Sequence, residues 1–222
     1  MSKKKKKKKL KIGRVFLALI ILGLICYLIV NFVDIPIRSI SVSGNKNLTD
    51  QEVIEIAKLD DYPSFFGTII LSVKQKLIKN PYIDNAKVTK GLLSVNIKVK
   101  ESKILYINKN TNAKVTLNNK IKDNKIICVP YLINEVPKEK EERFLSAMNK
   151  INEDMLCQMS EIKYDPNDID KDRYYVYMND GNSVYLTVNK FKKINKYNSI
   201  LENVGKQNGT LYLDYGDYFE AK

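Results

Sequence analysis

The chain has 222 residues, 44% of them apolar and 28% charged, enough for one large or two small folded domains and unlike an extensively disordered protein. Its net charge of +13 is concentrated at one end: nine of 38 basic residues precede position 15 and no acid precedes Asp34, which leaves 29 basic against 25 acidic residues, a net of +4, for the remainder. That distribution excludes a concentrated basic nucleic-acid face on the folded part, and the absence of histidine removes the commonest general base and metal ligand.

The basic residues Lys3, Lys4, Lys5, Lys6, Lys7, Lys8, Lys9, Lys11 and Arg14 lead into the apolar run IGRVFLALIILGLICYLIVNFV, residues 12–33. At about 1.5 Å per residue, Val15 to Val33 covers about 28 Å, close to the ~30 Å hydrocarbon core of a bilayer. No small-x-small cleavage site follows, so the run predicts an uncleaved transmembrane helix. Lysine and arginine are retained on the cytoplasmic side, which predicts a basic cytoplasmic tail at 1–11 in contact with lipid and an extracytoplasmic chain beyond Val33.

From Asp34 the chain predicts a strand that ends at Gly44 and Asn45. A capping box follows, Thr49 with Glu52, and Val53, Ile56 and Ala57 recur at helical spacing to about Leu59. Ile70, Val73 and Leu77 mark a second helix, stopped by Pro81, whose start is open between Thr68 and Ser72. Ile83, Ala86 and Val88, then Gly91, then Leu93, Val95, Ile97 and Val99 alternate as a hairpin with one buried face. The order β-α-α-β-β over 34–101 predicts an α+β module with two helices on a three-stranded sheet.

Residues 102–222 predict a β-rich domain with two helices. Its short strands are KILYIN, AKVTLNN, KIKDNKIICVPYL, SEIKYD, RYYVYM and SVYLTV, with Asn179, Asp180 and Gly181 as a hairpin turn between the last two. One helix runs from about Lys140 to Asn152 with Phe144, Leu145, Met148 and Ile151 inward. The other, KFKKINKYNSILENV, presents Phe191, Ile194, Tyr197 or Asn198, and Leu201, and precedes a last strand, TLYLDY. Cys26 lies in the apolar run, so only Cys128 and Cys157 remain, too few for a disulfide framework or metal set; whether they pair is left open.

These residues resemble a known family. The run I-x-V-x-G-N-x-x-L-T from Ile40, the run L-x-x-x-P-x-I-x-x-A-x-V from Leu77 and the hairpin closing in Val99, Lys100 and Glu101 resemble the polypeptide-transport-associated (POTRA) module. Placed after an N-in anchor and followed by NDGNSVYL, KFKKINKYNSIL and a last strand, they are similar to the FtsQ/DivIB cell-division family. The resemblance implies a non-catalytic divisome scaffold at the septum, without cofactor or small-molecule substrate, whose β domain binds membrane proteins of FtsL/DivIC/FtsB type. It assigns the contact to the last strand and its continuation: Leu211, Tyr212, Leu213, Asp214, Tyr215, Gly216, Asp217, Tyr218 and Phe219. A C-terminal strand at a sheet edge would present unpaired N–H and C=O groups to another strand. Tyr212 and Asp214 occupy positions where the family often has a charged pair of Asp and Arg, so the side-chain specificity is this chain's own.

Other chemistry has weaker support. Asp168, Asp170 and Asp172 have the alternation of a calcium loop, but Arg173 and Asn179 stand where it needs Gly and Glu. No glycine run forms a phosphate loop. A POTRA-bearing translocation component would require further repeats or a barrel. An anchored cell-wall enzyme would require acids such as Glu153, Glu161, Asp165 and Asp168 to converge. The lysine tail alone would give nonspecific, salt-sensitive nucleic-acid binding at most.

Overall fold

The computed structural model describes residues 12–205 and 207–222. The lysines at 3–9 and 11 therefore lie outside the described residues, and Arg14 stands in the first turn of α1, a continuous 22-residue helix over Ile12–Val33. The described side chains of α1 run unbroken only over 13–28, all exposed, and within the described residues alone no helix is long and apolar enough to cross a membrane.

Two compact units are distinguished, one containing residues 12–80 and 85–100, the other residues 81–84 and 101–222. The first contains β1 (Ser39–Ser43), α2 (Asp50–Ala57), α3 (Ile70–Ile78), most of β2 (Ile83–Lys90) and nearly all of β3 (Ser94–Glu101). The sheet order is β1-β3-β2, with β1 parallel to β3 and Val42 opposite Ile97. Thr49 forms the expected capping box: its Oγ1 accepts from Glu52 N at 3.2 Å and its N–H donates to Glu52 Oε2 at 2.7 Å. Two otherwise orphaned amides at the start of α2 are thereby satisfied. Val53 and Ala57 of α2, Val73 and Leu77 of α3, and Val95, Ile97 and Val99 of β3 are buried, so helical and alternating periodicities meet in one core. Helix α3 starts between the two positions left open.

The second unit is a nine-stranded sheet. Its elements are β4 (Ile104–Asn108), β5 (Ala113–Thr116), β6 (Lys120–Ile121), β7 (Tyr131–Leu132), α4 (Lys138–Asn149), α5 (Glu153–Gln158), β8 (Met159–Tyr164), β9 (Arg173–Met178), β10 (Ser183–Thr187), the 3-10 helix η1 (Val188–Lys196), α6 (Tyr197–Asn203), β11 (Gly209–Tyr212) and β12 (Tyr218–Ala221). The strand order is β12-β11-β10-β9-β8-β7-β4-β5-β6. Phe144 stacks on Tyr174 at 4.8 Å, Phe191 meets both edge-on, and Tyr106 tilts against Phe144. Each such pair adds ~0.5–1.5 kcal/mol to its area burial.

Three expectations for this region are corrected. The helix read from Lys190 onward begins as a 3-10 segment at Val188, because Val188, Phe191, Ile194 and Tyr197 recur every third residue and are buried, which suits three residues per turn. The spacing of four to Leu201 then returns it to α. A third helix, α5, was not expected. The run read as one strand from Lys120 to Leu132 keeps only β6 and β7 at its ends.

Strand β7 has two residues, yet it joins the halves of the sheet by pairing in parallel with β4 (Ile107 opposite Tyr131) and β8 (Leu132 opposite Ile162). Three residues before it, Cys128 is disulfide-bonded to Cys157, which stands at the end of α5 next to β8. The pairing left open in the sequence is present in the structure. Breaking it by Cys128→Ala should lower the unfolding free energy of the full chain by about 2–4 kcal/mol. In hydrogen exchange, protection should fall first at Tyr131 and Leu132; urea unfolding of oxidised and substituted protein measures the difference.

Candidate protein-binding edge

The TLYLDY strand is not the sheet edge. Strand β11 pairs in parallel with β10 (Val184 opposite Leu211) and antiparallel with β12 (Leu211 opposite Phe219, Tyr212 opposite Tyr218). Its ladder groups are therefore used on both sides, and the terminal strand is β12. The chain reverses after Leu213, whose N–H donates to Tyr185 O at 2.9 Å.

Two residues set this arrangement. Buried Asn182, just after the Asn179–Gly181 turn, accepts the Gly209 N–H on Oδ1 at 2.7 Å and so fixes the start of β11. Gly209 is required there because a Cβ would collide with the carbonyl oxygen of Glu220 across the pair.

The nine residues assigned to partner contact divide by environment. Leu211 and Leu213 are buried in the core. Tyr212 is half-buried, stacked between Tyr185 at 5.2 Å and Tyr218 at 4.5 Å. The aromatic row continues through Tyr175, and the Arg173 guanidinium lies 4.3 Å over the Tyr185 ring. Asp214 is turned inward with Arg173 at 3.9 Å from Oδ2, while its Oδ1 is buried without a hydrogen-bond partner. Tyr215 is 88% exposed and Tyr218 54% exposed. Asp217 accepts from Lys193 Nζ at 2.8 Å, which holds its carboxyl below the usual range. Gly216 and Phe219 are half-buried.

Between η1, α6 and the last two strands lies a groove of about 330 Å³. Ile200, Val204, Leu211, Leu213 and Phe219 supply its apolar wall, and Lys193, Lys196, Asp217 and Tyr218 its polar lip. The edge thus offers unpaired main-chain groups beside an apolar recess, the two components of strand addition. Sequence reasoning missed Glu220 and Ala221 of β12, Asn182, Gly209 and the groove residues Lys193, Ile200 and Val204. Only Asn182 carried a local signal, as the residue closing an Asn-Asp-Gly turn.

The acids that an anchored enzyme would need are each held elsewhere. Glu161 pairs with Lys109 at 2.9 Å, Asp165 with Lys163 and Arg173, Asp168 with Lys171, and Glu153 begins α5. Among the described residues no group of three His, Cys, Asp or Glu could hold a metal ion.

Two expectations follow. Asn182→Ala should leave the Gly209 amide without its acceptor and lower stability by about 1–3 kcal/mol, with exchange protection lost over 209–221 before β9. The Tyr212 hydroxyl donates to Glu220 Oε2 at 3.0 Å, and this bond, with burial, pushes its pKa up to about 12. The folded value lies above the unfolded value of about 10, so its contribution should be intact below pH 10 and lost as pH rises towards 12. Comparing the alkaline unfolding of wild type and Tyr212→Phe reads this directly.

Residues 35–102 match the model of the FtsQ-type POTRA domain. The chain is 27% identical over 228 residues to the cell division protein DivIB of Bacillus subtilis, covering 97% of this chain and 87% of that protein. It is 29% identical over 192 residues to DivIB of Listeria monocytogenes, covering 82% and 71%. A solved structure, the major extracytoplasmic domain of the trans isomer of DivIB from Geobacillus stearothermophilus, is similar at 23% identity and a TM-score of 0.39 over 48% of this chain and 97% of that one. With the β-α-α-β-β unit and the β-rich unit behind it, the chain carries an FtsQ-type POTRA domain and is similar over nearly its whole length to bacterial cell division proteins of the DivIB type.

Proposed function

We propose that the chain is a non-catalytic scaffold of the division septum that takes up a strand of an FtsL/DivIC/FtsB-type membrane protein on β12. In this reading, residues 1–11 form the cytoplasmic tail, 12–33 the membrane span, 34–101 the POTRA-like domain and 102–222 the binding domain. Helix α1 anchors the protein in the cytoplasmic membrane; Lys3 to Lys9, Lys11 and Arg14 hold the N-terminus inside by the positive-inside rule. The protein carries no cofactor and binds neither nucleic acid nor a small-molecule substrate.

The observation that carries the reading is the open side of β12, paired among the described residues only with β11, beside a groove of matching apolar character. Exposed Tyr215 and Tyr218 are suited to act as anchors at the rim. Leu211 and Leu213 then act indirectly, by holding the edge, and Tyr215, Asp217, Tyr218 and Phe219 meet the partner.

The test is binding of the outer segments of the host's FtsL-, DivIC- and FtsB-type proteins to the full chain in nanodiscs, with folding checked by circular dichroism. Tyr218→Ala and Tyr215→Ala should keep the fold, and their combination should weaken binding at least about tenfold. Folded wild-type protein that binds none of these segments, alone or combined, would refute the assigned edge.

A further inference from the structure

With α1 taken as the membrane span of the proposed function, the loops beside its end are the first folded segments after the bilayer. The chain immediately beyond Val33 is tied to two loops of the first unit. Phe65 N donates to Ile35 O at 2.8 Å, Ile37 N to Pro63 O at 3.1 Å, and Pro36 forms an isolated bridge with Ser64. Arg38 N donates to Leu93 O at 2.7 Å, bringing in the tip of the β2–β3 hairpin. Lys90 links the two loops, donating to the Phe65 carbonyl with its ammonium 4.5 Å from the Phe65 ring centroid.

These loops expose unusually apolar side chains. Tyr62 is 50% exposed, Phe66 54%, Ile69 67% and Leu92 95%, none of them needed for the buried core. Clustered exposed apolar residues mark an interaction surface. The charges in the same segments cancel: Asp34, Asp60 and Asp61 against Arg38, Lys58 and Lys90.

Distance selects the occupant. An extended chain spans at most ~3.6 Å per residue, so Ile35 lies within about 7 Å of the end of α1 and Arg38 within about 18 Å. The headgroup layer on each side of a bilayer is about 5–8 Å deep. We propose that the loop 60–69 and the hairpin tip 91–93 dock into the outer headgroup interface of the membrane, with Tyr62, Phe66, Ile69 and Leu92 as the inserted residues. Aromatic and aliphatic side chains at this depth act as interfacial anchors, and the balanced charge makes docking independent of anionic lipid. The POTRA-like unit is then held against the bilayer instead of swinging on its linker.

The chain contains no tryptophan, so a single introduced one reports its own environment. Phe66→Trp, Leu92→Trp, Tyr27→Trp in α1 and Lys98→Trp, exposed in the second half of β3 away from the hairpin tip, are placed separately in the full chain and reconstituted into phosphatidylcholine vesicles with bromines at defined acyl depths. The proposal predicts blue-shifted emission at Phe66→Trp and Leu92→Trp, quenched most by shallow bromines, no quenching at Lys98→Trp, and no change when phosphatidylglycerol is added. Deep quenching at Tyr27→Trp with water-like emission at both loop probes would overturn the docking while leaving the membrane span intact. Water-like emission at Tyr27→Trp would overturn the span and the docking together. Protection of the loop probes only after an FtsL- or DivIC-type protein is added would assign the surface to a protein and equally overturn the lipid proposal.

Discussion

Parallel pairing of β10 with β11 is the constraint on which the C-terminal end of the sheet depends. Parallel neighbours cannot be joined by a tight turn and need a crossover long enough to return the chain to the same end. Residues 188–208 supply it, and η1 and α6 bury Phe191, Ile194, Tyr197 and Leu201 against the sheet on the way. Once β11 is laid beside β10, its free side is filled by β12, and the same crossover forms the wall of the groove. Core, recess and edge are three consequences of one connection.

The sheet's two faces divide the aromatic residues of the second unit. Phe144, Tyr174 and Phe191 pack inward, and burial, followed by the nearby Glu141 carboxylate, pushes the Tyr106 hydroxyl up to about 12. On the other face Tyr175, Tyr185, Tyr212 and Tyr218 run across four strands to the edge. Because neighbouring rings brace each other across strands, β12 is supported by more than its four-residue ladder with β11.

In the function proposed above, strand addition would tolerate the divergence between this chain and relatives 27–29% identical to it. Main-chain donors and acceptors at an edge do not depend on side-chain identity, whereas the pockets that flank them do. Tyr212 joins the stacked row and Asp214 faces Arg173, so both support the edge from within.

The sequence alone determined the elements whose signals are local. The apolar run from Val15, the Thr49–Glu52 capping box, the alternation of Val95, Ile97 and Val99 and the Asn-Asp-Gly turn each encode their conformation within a few residues, because backbone preference and the buried face repeat at short range. The inward residues Phe144, Met148, Phe191 and Ile194 were legible for the same reason. Tertiary structure decided the rest: that the TLYLDY strand is interior, that the short YFEA segment is the edge, that two residues of β7 complete the sheet, and that Cys128 meets Cys157. Edge position, strand order and disulfide pairing depend on which distant segment lies alongside. No local periodicity records that, since a strand has the same alternation whether it has one neighbour or two.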